Sequence, residues 1–212
     1  MFQDSGLSAA ALHRARGPWR GMRTEVIGGQ LLDISLEAAG SESVELANSV
    51  NRYKTAAYTI ERPLHLGASI AGASEELIAA FRGYGQDIGI AYQLRDDQLG
   101  VFGDPAVTGK PAGDDLREGK RTELLALALR RADESDPQAA ATLRKLIGHT
   151  SDPQELSRLA QIIADSGAPE EIERRIASLT QSGLQHLRAA RVDPAVTETL
   201  EQLAIKATAR HK

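Results

Sequence analysis

The chain has 212 residues, 42% hydrophobic and 25% charged, with a net charge of −4, ordinary values for a soluble globular protein with one sizeable core. The mildly acidic balance gives no reason to expect nucleic acid as a partner. The absence of cysteine excludes disulfides, thiolate chemistry and zinc–cysteine centres and fits a cytoplasmic location, and no apolar run reaches the roughly 18 residues of a transmembrane helix.

Alanine and leucine are abundant and aromatics make up 4%, which reads as all-α. Residues 7–16 form a short helix, capped by Ser5 or Ser8 and stopped at Gly17–Pro18. From Trp19 to about Ala39, Met22, Val26, Ile27, Leu31, Ile34 and Leu36 keep a helical period. Gln30 and Asp33 share one face of that helix and Glu37 continues it, while Gly28 and Gly29 thin it where a neighbour comes close. A solvated polar face accounts for Gln30 and Asp33 equally well.

The next helix covers 43–60 and clusters Lys54, Thr55 and Tyr58, an ammonium, a hydroxyl and a phenol that suit a phosphate grip. An exposed helical lysine is the plainer reading. Pro63 ends or kinks this helix, and the small, apolar stretch 64–73 reads as a buried one. Ser74 caps a central helix that runs to about Leu99, with Glu75 and Glu76 in its first turn.

On the central helix Gly85, Gly89, Gln93, Asp96 and Gly100 fall on one face. Each glycine costs roughly 1 kcal/mol against alanine, so a close approach of another backbone or a ligand is expected there. The Asp96–Asp97 pair projects from the end of this bare strip, at the negative end of the helix dipole, where a cation is one way to stabilise it. A loop punctuated by Gly103, Pro105, Gly109, Pro111 and Gly113 follows and carries Lys110, with Lys120 just before the next helix. Carboxylates for Mg²⁺ beside lysines for phosphate oxygens are the requirements of a diphosphate site. A helix end followed by a solvated loop is the alternative.

Thr122 opens an amphipathic helix, and proline-marked starts and stops delimit further helices near 138–147, 154–166, 169–190 and 195–208. No repeat or linker divides the chain, so residues 1–212 read as one domain. Three other readings fail. Five residues, not four, separate Gly103 from Gly109, and Pro111 stands where a phosphate-binding loop needs Ser or Thr. A calcium loop lacks its ligand order and closing glutamate. The five histidines are scattered, with no zinc spacing.

Taken together, TEVIGGQLLDI, then YKTAAY, then GIAYQLRDDQLGVFGDPAVTGKPAGDDLREGKRT resemble the trans-prenyl diphosphate synthase family, with wording nearest to actinobacterial-type geranylgeranyl diphosphate synthases. The resemblance is clear to about Ala132 and continues beyond only as helical pattern. It implies a class I isoprenoid-synthase-like helix bundle and a Mg²⁺-dependent prenyltransferase that condenses isopentenyl diphosphate with an allylic diphosphate. In that scheme Asp96 is the Mg²⁺-binding aspartate, with Asp97 supporting it. Lys54, Lys110 and Lys120 contact the allylic diphosphate, Thr55 and Gln93 line the diphosphate and cation region, and Gln30, Asp33 and Tyr58 belong to the cavity helices. The resemblance also implies a homodimer or a heteromer with a full-length synthase.

Two departures stand out. The aspartate-rich motif is commonly DDxxD, and its fifth place here is Gly100, with Asp104 the candidate replacement. A first aspartate-rich motif, which family members carry on an earlier helix, is absent, so the sequence resembles an N-terminally truncated, C-terminal portion of the family's bundle. A non-catalytic subunit, or an inactive truncated homologue, is therefore the alternative to a working enzyme. Such a half-bundle is expected to expose apolar helix faces.

Overall fold

Helix starts are set by short polar side chains. In the computed structural model, which describes residues 4–109 and 111–209, Ser8, Ser43, Ser74, Asp104, Thr122, Asp136, Asp152 and Asp193 each accept a backbone N–H of the first turn. Four of the helices so opened, those capped by Asp104, Asp136, Asp152 and Asp193, begin with proline, whose missing N–H at the first position removes no helical bond. Among the described residues the fold is all-helical, and no helix is long and apolar enough to cross a membrane.

The first element, α1 (Ala9–Ala39), runs straight through the Gly17–Pro18 pair that the sequence marks as a stop. Pro18 is buried, as are Ala11 and Ala15 before it. Arg14 donates 2.8 Å hydrogen bonds to the carbonyls of Ser69 and Ile70 across the interface. Packing of this kind holds together a helix that an interior proline would otherwise weaken by about 3 kcal/mol. Next, α2 (Val44–Val50), a π-helical segment (Asn51–Glu61) and α3 (Arg62–Ala71) follow one another without a gap, so Pro63 sits in the first turn of α3 and ends nothing.

The central helix, α4 (Glu75–Phe102), contacts the π-helical segment and α3 as well as α6 (Asp114–Glu118), α7 (Glu123–Ser135), α10 (Ala168–Ala189) and α11 (Pro194–Thr208). Two glycines of its bare strip admit the π-helical segment. A Cβ on Gly85 would stand 2.5 Å from Glu61 Cα, and one on Gly89 2.5 Å from Ala56 Cα. Gly29 of α1 meets the same segment, where an added Cβ would collide with the backbone nitrogen of Lys54, whereas one on Gly28 would face open space. Glu61, fully buried at this junction, is matched by Arg82 at 3.0 Å and Arg52 at 3.3 Å.

Two short helices, α5 (Pro105–Thr108) and α6 (Asp114–Glu118), interrupt the connection to α7 (Glu123–Ser135). The sequence reads α7 as amphipathic, but every residue from Glu123 to Leu129 is buried, because α2, α4, α8 (Pro137–Leu146) and α10 surround it. The remaining helices are α8 (Pro137–Leu146), α9 (Pro153–Asp165), α10 (Ala168–Ala189) and α11 (Pro194–Thr208). The apolar faces of α8, α9 and α10 join α4 and α7 in a core that includes Leu94, Leu124, Leu129, Leu143, Ile163 and Ile172, while α11 packs on α4 and α10 around Tyr84, Ile88, Leu187 and Ala204. One apolar stripe is left uncovered on α1, where Ile27, Leu31 and Ile34 are 66%, 66% and 53% exposed.

Candidate active site

The close approach of α1, α4 and the π-helical segment creates a cavity of about 70 Å³. Asp33 enters it from α1, Asn51, Lys54 and Thr55 from the π-helical segment, Gln93 and Asp97 from α4, and Lys120, Arg121 and Thr122 from the segment leading into α7. A π-helix is rare, and its i→i+5 bonding is often found at functional sites. Here it carries the lysine and threonine that the sequence singles out.

Hydrogen bonds tie these groups into a chain. Thr55 Oγ1 donates to Gln93 Oε1 at 2.7 Å, and Gln93 Nε2 donates to Asp97 Oδ1 at 2.7 Å. The amide of Gln93 is thereby fixed in one orientation. Lys54 Nζ is paired with the Asp33 carboxylate. Lys120 Nζ donates to Asp115 Oδ1 at 2.5 Å, with Glu118 3.6 Å away. Both cavity lysines are thus held by carboxylates.

Asp97 is buried, and its Oδ2 has no hydrogen-bond partner. Burial pushes its carboxyl up to about 8; the Gln93 hydrogen bond opposes the rise, and the charges of Asp115 and Asp96 reinforce it. Burial alone would depress Lys120, but the hydrogen bond and charge of Asp115, with Glu118 and Asp97, outweigh it and hold the ammonium above its ordinary range. Two donors at the same cavity are also buried without partners, Asn51 Nδ2 and Arg121 Nε. The site therefore presents two lysines, two unused donors and one unused carboxylate oxygen.

The structure brings Asp33, Lys54, Thr55, Gln93, Asp97 and Lys120 to one cavity, as the sequence suggests. Asp96 is half-buried on the same turn of α4 but does not line the cavity. Gln30 is exposed on α1, and Tyr58 points outward, 51% exposed, so neither is part of this wall. Lys110 lies outside the described residues. Asp104, the candidate replacement for an aspartate at residue 100, caps α5, its Oδ1 accepting from Ala106 N at 2.8 Å. Sequence reasoning missed Asn51, Arg121 and Asp115. Arg121 adjoins Lys120 and Asp115 lies in the same run of charges, but nothing local marks Asn51.

A helical bundle that gathers lysines, an amide and carboxylates around one cavity is of the isoprenoid-synthase class. More particularly, the chain belongs to the polyprenyl synthetase family, whose model matches residues 19–165. It is similar to geranylgeranyl pyrophosphate synthase from Corynebacterium glutamicum, solved in complex with isoprenyl diphosphate and magnesium. The identity there is 63% and the TM-score 0.96, over 99% of this chain and 58% of that one. Geranylfarnesyl diphosphate synthase of Aeropyrum pernix is 39% identical over 137 residues, 62% of this chain and 42% of that protein. Geranylgeranyl diphosphate synthase of Mycobacterium tuberculosis is 39% identical over 113 residues, 53% of this chain and 32% of that protein. The chain thus spans less than half the length of these curated relatives.

Proposed function

We propose that this chain provides the diphosphate-binding wall of a trans-prenyltransferase that joins isopentenyl diphosphate to an allylic diphosphate of the geranyl or farnesyl type. The observation that carries the reading is the convergence of Lys54, Thr55, Gln93, Asp97 and Lys120 on one cavity in a chain of the polyprenyl synthetase family. Cytoplasmic action goes with it.

Among the described residues no three carboxylates or histidines converge on one point, so these residues by themselves offer no closed metal cage. The unpaired Oδ2 of Asp97 beside Asp96 still fits a hard cation that takes oxygen ligands, most of them from substrate phosphate and water. Asp96 and Asp97 would hold Mg²⁺, which when bound offsets the charge of the departing diphosphate. Lys54 and Lys120 bind diphosphate oxygens as point charges and stabilise the leaving group. Thr55 and Gln93, locked by their shared hydrogen bond, present fixed dipoles to the allylic cation and keep water from it.

The test is calorimetric binding of farnesyl diphosphate with Mg²⁺ to the 212-residue chain. Binding that Lys54→Ala and Asp96→Ala each weaken at least tenfold is expected, and equal binding by all three forms overturns the reading. Labelled isopentenyl diphosphate added to the same samples reports transfer; product that persists in Asp96→Ala would remove Asp96 from its role.

A further inference from the structure

Gly100 lies in the last turn of α4, where glycine weakens a helix unless something needs the space of its missing side chain. Something occupies that space. A Cβ on residue 100 would stand 2.1 Å from Asp115 Oδ2, 2.3 Å from its Cγ and 2.8 Å from its Oδ1. The buried carboxylate of Asp115 therefore stands where the side chain of residue 100 would begin.

The short helix α6 is shaped to deliver it. Gly113 and Gly119 bracket α6 in the left-handed conformation, at φ 69° and 76°. The turn after α6 folds the chain back, so that Lys120 N donates to the carbonyl of Asp115 at 3.0 Å while Lys120 Nζ donates to its Oδ1 at 2.5 Å. Lys120 is thus tied to Asp115 by main chain and side chain at once, and it lines the cavity.

We propose that Asp115 is the positioning residue for Lys120, and that residue 100 is glycine so that the Asp115 carboxylate can lie against α4. The inference deepens the proposed function and rests on it for the role of Lys120 as a diphosphate ligand. A long lysine side chain otherwise samples many rotamers, and binding would have to order it. With one donor spent on Asp115, the ammonium stands ready at the cavity with donors left for phosphate oxygens.

The experiment is a double-variant cycle on the full chain: wild type, Asp115→Ala, Gly100→Ala and the pair combined. Each form is acylated with an amine reagent at limiting dose, and labelling of Lys120 and Lys54 is read by peptide mass spectrometry. Thermal unfolding checks that each form is folded. Asp115→Ala should label Lys120 about tenfold faster, the effect of losing one charge-assisted hydrogen bond. Gly100→Ala should do much the same although it keeps both charges, and the double variant should be no faster than Asp115→Ala. Lys54 should not change. Unchanged Lys120 labelling in Asp115→Ala, or additive effects in the double variant, overturns the proposal.

Protection of Lys120 by inorganic pyrophosphate with Mg²⁺ supplies the second reading. The pyrophosphate concentration that gives half-protection should rise about tenfold in Gly100→Ala. A contact that only fastened α6 to α4 would leave it unchanged, and that result also overturns the proposal. Absence of protection in the wild type would instead refute the diphosphate reading, while the labelling cycle still judges the pairing of Asp115 with Lys120.

Discussion

Replacing glycine by alanine inside a helix ordinarily stabilises it by about 1 kcal/mol. At Gly89 the sign should reverse. The new Cβ would stand 2.5 Å from Ala56 Cα and 2.6 Å from Ala56 Cβ. Carbon atoms settle at about 3.5–4.0 Å, so α4 and the π-helical segment must part by about 1 Å. Thr55 adjoins Ala56, and Gln93 lies one turn beyond Gly89, so the same displacement would stretch their 2.7 Å hydrogen bond beyond bonding range. Overpacking of this kind costs about 1–3 kcal/mol. Urea unfolding of Gly89→Ala should therefore show a loss of that size, and farnesyl diphosphate binding should weaken. Gly28→Ala is the control, because nothing lies within 4 Å of its Cβ position, and it should gain about 1 kcal/mol. A Gly89→Ala protein as stable as Gly28→Ala would refute the account of how the site is assembled.

Asp97→Asn keeps the shape of a carboxyl that burial pushes from 3.8 to about 8. The native chain binds that proton more tightly than the unfolded chain, so its contribution is full below pH 3.8 and is lost as the pH rises through about 8. The variant should melt higher than the wild type at pH 8.5 and nearly equal to it at pH 4, and equal shifts at both would count against the burial argument. Arg175 answers the fully buried Glu123 of α7, whose carboxyl burial raises to about 7 against the pull of Arg175. Arg175→Met should cost about 3–5 kcal/mol at pH 8 and less at pH 5, where Glu123 can take up a proton, as read by urea unfolding at each pH. The apolar stripe of Ile27, Leu31 and Ile34 should make the chain self-associate at micromolar concentration. Sedimentation should show that Leu31→Glu with Ile27→Lys shifts it toward monomer; a wild type that is already a compact monomer contradicts this.

Much of the architecture follows from short-range chemistry. Ser74, Thr122, Asp136, Asp152 and Asp193 start helices by capping N–H groups two or three residues ahead, and the prolines behind the aspartates suit a first turn. These effects lie within one turn of chain, so the sequence states them directly. The wording around Lys54, Gln93, Asp97 and Lys120 likewise singled out groups that meet at the cavity. Where tertiary packing overrides local preference, the sequence misleads. Pro18 reads as a stop, yet α1 is carried through it by contact with α3. The run Glu123–Leu129 reads as one-sided, yet neighbours bury it all round.

What the sequence alone determined, then, is the all-helical class, the helix starts and the family. Only the tertiary structure decided which polar groups meet: Asp33 with Lys54, Thr55 with Gln93 across 38 positions, and the Asp115 carboxylate in the place of a side chain at Gly100. It also left Tyr58 and Gln30 outside the cavity, although their spacing put them on promising faces. The physical reason is one of range. Capping and periodicity act over a few residues, whereas a hydrogen bond between distant groups needs backbones brought within a few ångströms, and here the glycines of α1 and α4 allow it.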